Sequence, residues 1–191
     1  MTDFLKEFKA AGALMTGHFI LSSGLHSDQY LQCAKALEDP SYAARMGAEI
    51  AERFRDDRID SVASPAIGGL VIGFATALAL GVRFIWTERQ NGVMTLRRGF
   101  EVNDGERILV VEDVITTGGS TRECIKFLEE HGAKVVAAAS IVDRSAGSAD
   151  AGVPRLSLLS LQVPSFAPES CPLCAAGIEA IKPGSRISPS I

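Results

Sequence analysis

The chain has 191 residues, enough for one domain of ordinary size. Its 47 % hydrophobic and 22 % charged residues exclude an intrinsically disordered chain. A formal net charge of −4 excludes a mainly electrostatic nucleic-acid binder, which would carry a basic excess, but leaves room for a local basic pocket that holds a phosphorylated small molecule. The longest apolar run, Leu70 to Leu80, is interrupted by Gly73 and Thr76 and falls short of the ~20 residues of a bilayer span, so no membrane partner is expected. The N-terminus shows no basic start followed by an apolar stretch, which points to the cytoplasm and to reduced thiols.

In chain order, Thr2 is placed to cap a short helix with Phe4, Leu5 and Phe8 on one face. Gly17 to Gly24 reads as a strand ending in a turn. Asp39-Pro40 is a helix start, a capping carboxylate followed by proline at the first helical position. Met46, Ile50 and Phe54 then recur every four residues as its apolar face. Ile59 to Ser64 is a short strand, and Gly68-Gly69 opens an apolar helix to Leu80, stopped by Gly81. Val82 to Thr87 is the next strand. Residues 88 to 106 hold Arg89, Arg97 and Arg98 among glycines and read as a mobile basic loop or ribbon. Ile108 to Val111 is a buried strand, Ser120 starts a helix that ends at Gly132, and Val135 to Val142 is a strand buried on both faces. Leu156 to Val163 is the last strand, and the tail after Pro164 is expected to be irregular. This alternation predicts an α/β fold, a parallel sheet with helices on both faces.

The most informative stretch runs from Arg107 to Thr121. A buried strand ends in two adjacent acids, Glu112 and Asp113; Val114, Ile115, Thr116, Thr117, Gly118 and Gly119 follow, and a helix begins at Ser120. In parallel sheets ligands bind beyond the carboxyl ends of the strands. A helix start offers unpaired N–H groups and the positive end of a dipole. The glycines allow close backbone approach and the hydroxyls add donors, so the loop is a phosphate cradle. The absence of Gly-Lys-Ser/Thr and of Gly-x-Gly-x-x-Gly excludes a P-loop and a dinucleotide fingerprint. Acids beside a phosphate cradle are good acceptors for a diol, which suggests a ribose 5-phosphate.

This segment resembles the phosphoribosyl pyrophosphate signature of the type I phosphoribosyltransferases. The resemblance implies a five-stranded parallel core under a small N-terminal hood, and Mg²⁺-assisted transfer of ribose 5-phosphate to a base. It also implies a single domain, with a hood of about 1–37 plus the tail of about 164–191 and a core of about 38–163. It casts Glu112 and Asp113 as ribose-diol partners, Asp113 as catalytic, and Thr116 to Ser120 as the 5-phosphate loop. From about Gly12 to Leu161 the chain is similar to the orotate-using branch of that family. Phe19 to Ser27 resembles its hood motif, with His26 as the basic residue, and Ser64-Pro65-Ala66-Ile67-Gly68-Gly69 resembles its pyrophosphate loop. Ile141-Val142-Asp143-Arg144 resembles the strand end whose arginine meets the orotate carboxylate, with Thr116 contacting the base. Ala66, Gly68, Gly69, His26, Arg97 and Arg98 are thereby expected at the pyrophosphate, and Arg89 as a catalytic residue of the mobile loop. Many members of the family carry a lysine where this chain has Gly68, and another in place of His26. The resemblance further implies a homodimer in which the loop of one subunit covers the other's site. Mg²⁺ is expected to be held mainly by substrate rather than by protein side chains. A phosphoribosyltransferase for another base, and a regulator of the same fold that senses phosphoribosyl pyrophosphate, are the alternatives.

Cys171-Pro172-Leu173-Cys174 has metal-ligand spacing, but a structural zinc needs about four ligands and no second pair is present. Cys33, Cys124 or a histidine would have to complete the set, and nothing in the spacing selects one. The expectation is a plain turn with free thiols and less than one zinc per chain. Cys124 is expected in the core, His131 at a helix end, and His18 carries no signal by itself.

Overall fold

The computed structural model describes residues 4–21 and 23–183. Thr2 and Ser22, expected as a helix cap and as part of the hood motif, lie outside the described residues, as does the end of the tail. After a short helix α1 (Phe4–Ala10), strands β1 (Leu14–Ile20) and β2 (His26–Leu31) form an antiparallel hairpin. The expected first strand is β1. β2 escapes the sequence pattern because its residues do not alternate between apolar and polar.

The core follows. Helix α2 (Cys33–Leu37) leads into α3 (Pro40–Arg53), whose N-cap Asp39 accepts the Ser41 amide at 2.9 Å. Met46, Ile50 and Phe54 are buried against the sheet as their spacing predicts. Strand β3 (Ser61–Pro65) turns into α4 (Leu70–Leu80), which ends at Gly81 with φ 70°, a left-handed conformation that suits glycine. Helices α3 and α4 cross so closely that a Cβ on Gly47 would lie 2.6 Å from the Ala75 carbonyl carbon. Strands β4 (Arg83–Gln90) and β5 (Val93–Leu96) form a second antiparallel ribbon, closed by Asn91 and Gly92, both at positive φ. Strand β6 (Arg107–Ile115), helix α5 (Gly119–Glu130), and strands β7 (Lys134–Asp143) and β8 (Arg155–Ser160) complete the core.

The sheet order is β5-β4-β3-β6-β7-β8. The five strands β4, β3, β6, β7 and β8 run parallel and only β5 is antiparallel. One face packs on α3 and α4 through Met46, Ile50 and Ile72, the other on α5 through Cys124, Ile125 and Leu128. This is the α/β architecture expected of the sequence. None of the described helices is long and apolar enough to cross a membrane.

The tail is less irregular than expected. It carries a 3₁₀ turn (Pro168–Ser170) and a one-turn helix α6 (Pro172–Ala175). It is also fastened to the hairpin: Phe166 and His26 exchange backbone hydrogen bonds at 2.8 Å, and Ile181 bridges β1 through His18 and Ile20.

Candidate active site

Strand β6 stops pairing with β3 at Val110 but runs beside β7 as far as Ile115. Its last residues therefore have one free edge, and the turn from β3 into α4 fills it. In that turn the Ala66–Ile67 peptide is cis. The glycines let it press on the acids. A Cβ on Gly68 would stand 2.6 Å from Asp113 Oδ1, and one on Gly69 3.1 Å from Glu112 Oε1. Both carboxylates thus face one place, although neighbours within a strand ordinarily point to opposite faces. Asp113 donates its amide to Glu112 Oε1 at 3.1 Å and accepts the Val114 amide at 2.8 Å. Burial, and then the charge of Asp113, push the Glu112 carboxyl far above the usual carboxylate range. Asp113 is the more exposed of the two.

Beyond the acids lies a cavity of about 270 Å³ lined by Ala66, Gly68, Glu112, Asp113 and every residue from Val114 to Thr121. The whole predicted cradle is assembled. Gly118 sits at φ 78° as the N-cap of α5, and a Cβ there would also meet the Asp150 carbonyl at 3.0 Å. The helix consequently starts at Gly119, one residue before the expected Ser120. The first-turn amides of α5 have no intrahelical acceptor and open onto this cavity.

A larger cavity of about 600 Å³ lies between the hairpin and the core. Ile20, Leu21, Leu25 and Tyr30 form its hood side, Thr116, Thr117 and Arg144 its floor, and Val163, Ser165, Lys182 and Pro183 its tail side. Arg144 follows the end of β7 and donates its amide to Ile115 at 2.8 Å. Its side-chain Nε is buried and has no hydrogen-bond partner among the described residues. An orphaned guanidinium donor beside a cavity is a demand for an anion. Thr116 and Thr117 line both cavities, so the two form one bent cleft with the start of α5 at one end and the Arg144 guanidinium at the other. Tyr30 and Lys182, whose sequence surroundings carry no motif, enter this cleft only through the folding of hood and tail.

Several expected site residues lie elsewhere. Arg89 is tied to Glu123 of α5 at 2.5 Å, while Arg97 and Arg98 pair with Glu88, and Arg98 also lies over the Trp86 ring. These arginines belong to the β4–β5 ribbon and line neither cavity of their own chain. His26 corrects the expectation of a pyrophosphate contact. Its ring is buried in the hood, 2.8 Å from His18 Nε2 and 3.2 Å from Cys174 Sγ. The Cys171–Cys174 segment is likewise more than a plain turn, because both histidines pack against it. Sequence spacing missed this because the histidines lie some 150 residues away from the cysteines.

The family model described as "Phosphoribosyl transferase domain" matches residues 34–162, and the chain belongs to that family. Orotate phosphoribosyltransferase of Caldicellulosiruptor bescii is 50 % identical over 183 residues, covering 96 % of each chain. That of Thermotoga maritima is 53 % identical over 175 residues, 92 % of this chain and 94 % of the relative. Within the phosphoribosyltransferases, this chain is therefore a member of the orotate phosphoribosyltransferases. Among solved structures, the Aeropyrum pernix orotate phosphoribosyltransferase superposes with a TM-score of 0.70 at 29 % identity, over 82 % of this chain and 93 % of that one. The Mycobacterium tuberculosis enzyme in complex with 5-phospho-α-D-ribosyl 1-diphosphate superposes with 0.66 at 27 % identity, over 84 % and 97 %.

Proposed function

We propose that this chain transfers ribose 5-phosphate from phosphoribosyl pyrophosphate to orotate, giving orotidine 5'-phosphate and pyrophosphate for pyrimidine biosynthesis. The observation that carries this reading is the wall shared by the two cavities. Thr116 and Thr117 stand between a built phosphate cradle and an arginine with an unpartnered buried donor. A 5-phosphate on the cradle puts the ribose hydroxyls at Asp113 and Glu112 and turns C1 toward the Arg144 cavity. A planar anionic base with a carboxylate fits that cavity, its carboxylate on Arg144 and its ring against Tyr30 and Leu25. The orotate ring nitrogen is nucleophilic once deprotonated, so the protein needs no nucleophile of its own. Its work is to hold the base in line with C1 and to accommodate the charge of the leaving diphosphate.

The donor set fits Mg²⁺. Asp113 lines the mouth of the cradle, and carboxylate and hydroxyl oxygens are the ligands this ion prefers. When bound, Mg²⁺ supplies charge neutralisation on the diphosphate; Asp113, and Glu112 through the ribose hydroxyls, are the groups that would hold it.

The arginine ribbon supports a homodimer. Arg89, Arg97 and Arg98 do not reach their own chain's cleft, which leaves the pyrophosphate end short of cations. Helix α4 offers a surface for a second copy, with Val71, Phe74 and Leu78 exposed along one side. In that assembly the ribbon of one subunit serves its partner's site. A cytoplasmic location agrees with this reading.

The test is the loss of orotate absorbance on adding phosphoribosyl pyrophosphate and Mg²⁺, with uracil and adenine as control bases. Turnover with orotate alone supports the assignment; turnover with adenine or uracil and not with orotate overturns it. Mixing Arg89→Ala with Asp113→Asn subunits restores activity if sites are shared. A monomer by light scattering at assay concentration refutes the dimer.

A further inference from the structure

We propose that His18, His26, Cys171 and Cys174 form a tetrahedral zinc site that clamps the C-terminal tail onto the hood hairpin. One ligand atom from each of the four lies within 4.8 Å of all the others. The closest approaches are His18 Nε2 to His26 Nδ1 at 2.8 Å, Cys174 Sγ to His26 Nδ1 at 3.2 Å, and Cys171 and Cys174 Sγ to His18 Nε2 at 3.5 and 3.8 Å. With Zn–N of ~2.0 Å and Zn–S of ~2.3 Å, tetrahedral geometry sets ligand–ligand edges of ~3.3–3.8 Å. The three sulfur–nitrogen separations of 3.2, 3.5 and 3.8 Å lie near those edges, the two histidines 2.8 Å apart must part by about half an ångström to admit the ion, and the set is the two-cysteine, two-histidine set of structural zinc.

A second observation concerns proton positions. The other ring nitrogen of His18, Nδ1, lies 2.6 Å from the Ile178 carbonyl. A carbonyl can only accept, so Nδ1 carries the proton and Nε2 presents its lone pair to the cluster. This is the outer hydrogen bond that orients a metal-bound histidine. His18, His26 and Cys171 are 3 %, 9 % and 3 % exposed, and both thiols are unbridged. Binding zinc displaces the two thiol protons and leaves neutral imidazoles and thiolates as ligands.

The site has a clear mechanical role. Its ligands come from β1, β2 and the one-turn helix α6 with its N-cap Cys171, and the tail they hold continues to Lys182 and Pro183 at the base cavity. The effect on base binding rests on the orotate reading; the metal site does not, and the two are tested apart.

Metal analysis of the full chain, purified without a metal-affinity tag, is expected to find one zinc per chain. Cys171→Ser with Cys174→Ser loses it, whereas Arg144→Ala keeps it. Should the double variant fail to fold, Co²⁺ exchanged into the wild-type protein reports independently, through the visible bands of tetrahedral cobalt with thiolate charge transfer. Chelator should lower the melting temperature by several degrees and raise the KM for orotate more than that for phosphoribosyl pyrophosphate. A metal-free wild-type protein that gains no such bands with Co²⁺, or one isolated with a Cys171–Cys174 disulfide, overturns the site. Zinc with an unchanged KM for orotate leaves the metal site standing and removes its link to the base pocket.

Discussion

Arg155 Nη1 lies 3.0 Å from Asp143 Oδ2, a largely buried ion pair that joins the start of β8 to the end of β7, one residue before Arg144. Asp143 also accepts the Ser145 amide and hydroxyl at 2.7 and 2.5 Å and the Gly147 amide at 3.0 Å. One carboxylate therefore fixes the loop that carries Arg144 to the larger cavity. Arg155→Met leaves that carboxylate without its cation, which for a buried pair costs about 3–5 kcal/mol. The expected result is a lower melting temperature together with a raised KM for orotate. Unchanged values for both would remove Asp143 and Arg155 as positioning residues.

Acid sensitivity follows from the same carboxylate. Burial acts to raise the Asp143 pKa, but the Ser145, Arg155 and Gly147 donors outweigh it and hold the group at about 2. Glu106 is also held at about 2, with burial opposed by Arg83 and the Asn103 amide. Both folded-state values lie below the unfolded ones of ~4. The stability these groups contribute is thus present above pH ~4 and lost as pH falls toward 2. Melting temperatures should drop steeply below pH ~4, whereas between pH ~6 and ~5 the raised Glu112 carboxyl makes the protein slightly more stable as pH falls. Asp143→Asn, less stable at neutral pH, should show a shallower drop.

Arg144→Ala removes a charge-assisted hydrogen bond of roughly 1.5–3 kcal/mol, so kcat/KM for orotate should fall about 10- to 150-fold. The KM for phosphoribosyl pyrophosphate should move much less if, as proposed, its phosphate is held by the Thr116 to Ser120 loop. Lysine at 144 should recover part of the loss, since it keeps the charge without the planar fork. If orotate is used normally while phosphoribosyl pyrophosphate binding collapses, Arg144 serves the diphosphate instead.

Asp113→Asn should separate function from folding. Asparagine keeps an oxygen for the Val114 amide, so the melting temperature should stay near the wild-type value. Turnover should fall at least about tenfold, the scale of a lost charge-assisted contact. A variant with full activity contradicts the diol role.

Gly68→Ala tests the contact between the two loops. Its Cβ would arrive 2.6 Å from Asp113 Oδ1, an oxygen that already accepts the Val114 amide. The carboxylate must shift, so kcat should drop while the KM for orotate stays near the wild-type value. This crowding also bears on why a side chain as long as lysine is not found at position 68 here.

The core was legible because its signals are local. Asp39-Pro40 caps one helix, Gly81 ends another, and the apolar runs at 108–111 and 135–142 could only be buried strands. The cradle was legible for the same reason, since strand, acids, glycines and helix start lie within fifteen residues of chain. The roof was not. β2 reads His-Ser-Asp-Gln-Tyr-Leu, without alternation, and is defined by its partners β1 and Phe166. The Cys171–Cys174 pair looked incomplete because its other two candidate ligands come from the opposite end of the chain. Residues 88 to 106 read only as a basic loop or ribbon, and the destination of the arginines there depends on Glu88 and Glu123, which no local pattern connects to them.

The joining of hairpin and tail also sets an order of assembly. His18 and Ile178 are separated by 160 residues, yet share a hydrogen bond. Closing a loop of that length from an open chain costs about 4 kcal/mol in the logarithmic term alone. Once the sheet has formed, most of that distance is already spanned. A growing chain emerging from the ribosome can therefore complete the loop after β6 while the larger cavity still lacks the wall that Lys182 and Pro183 close.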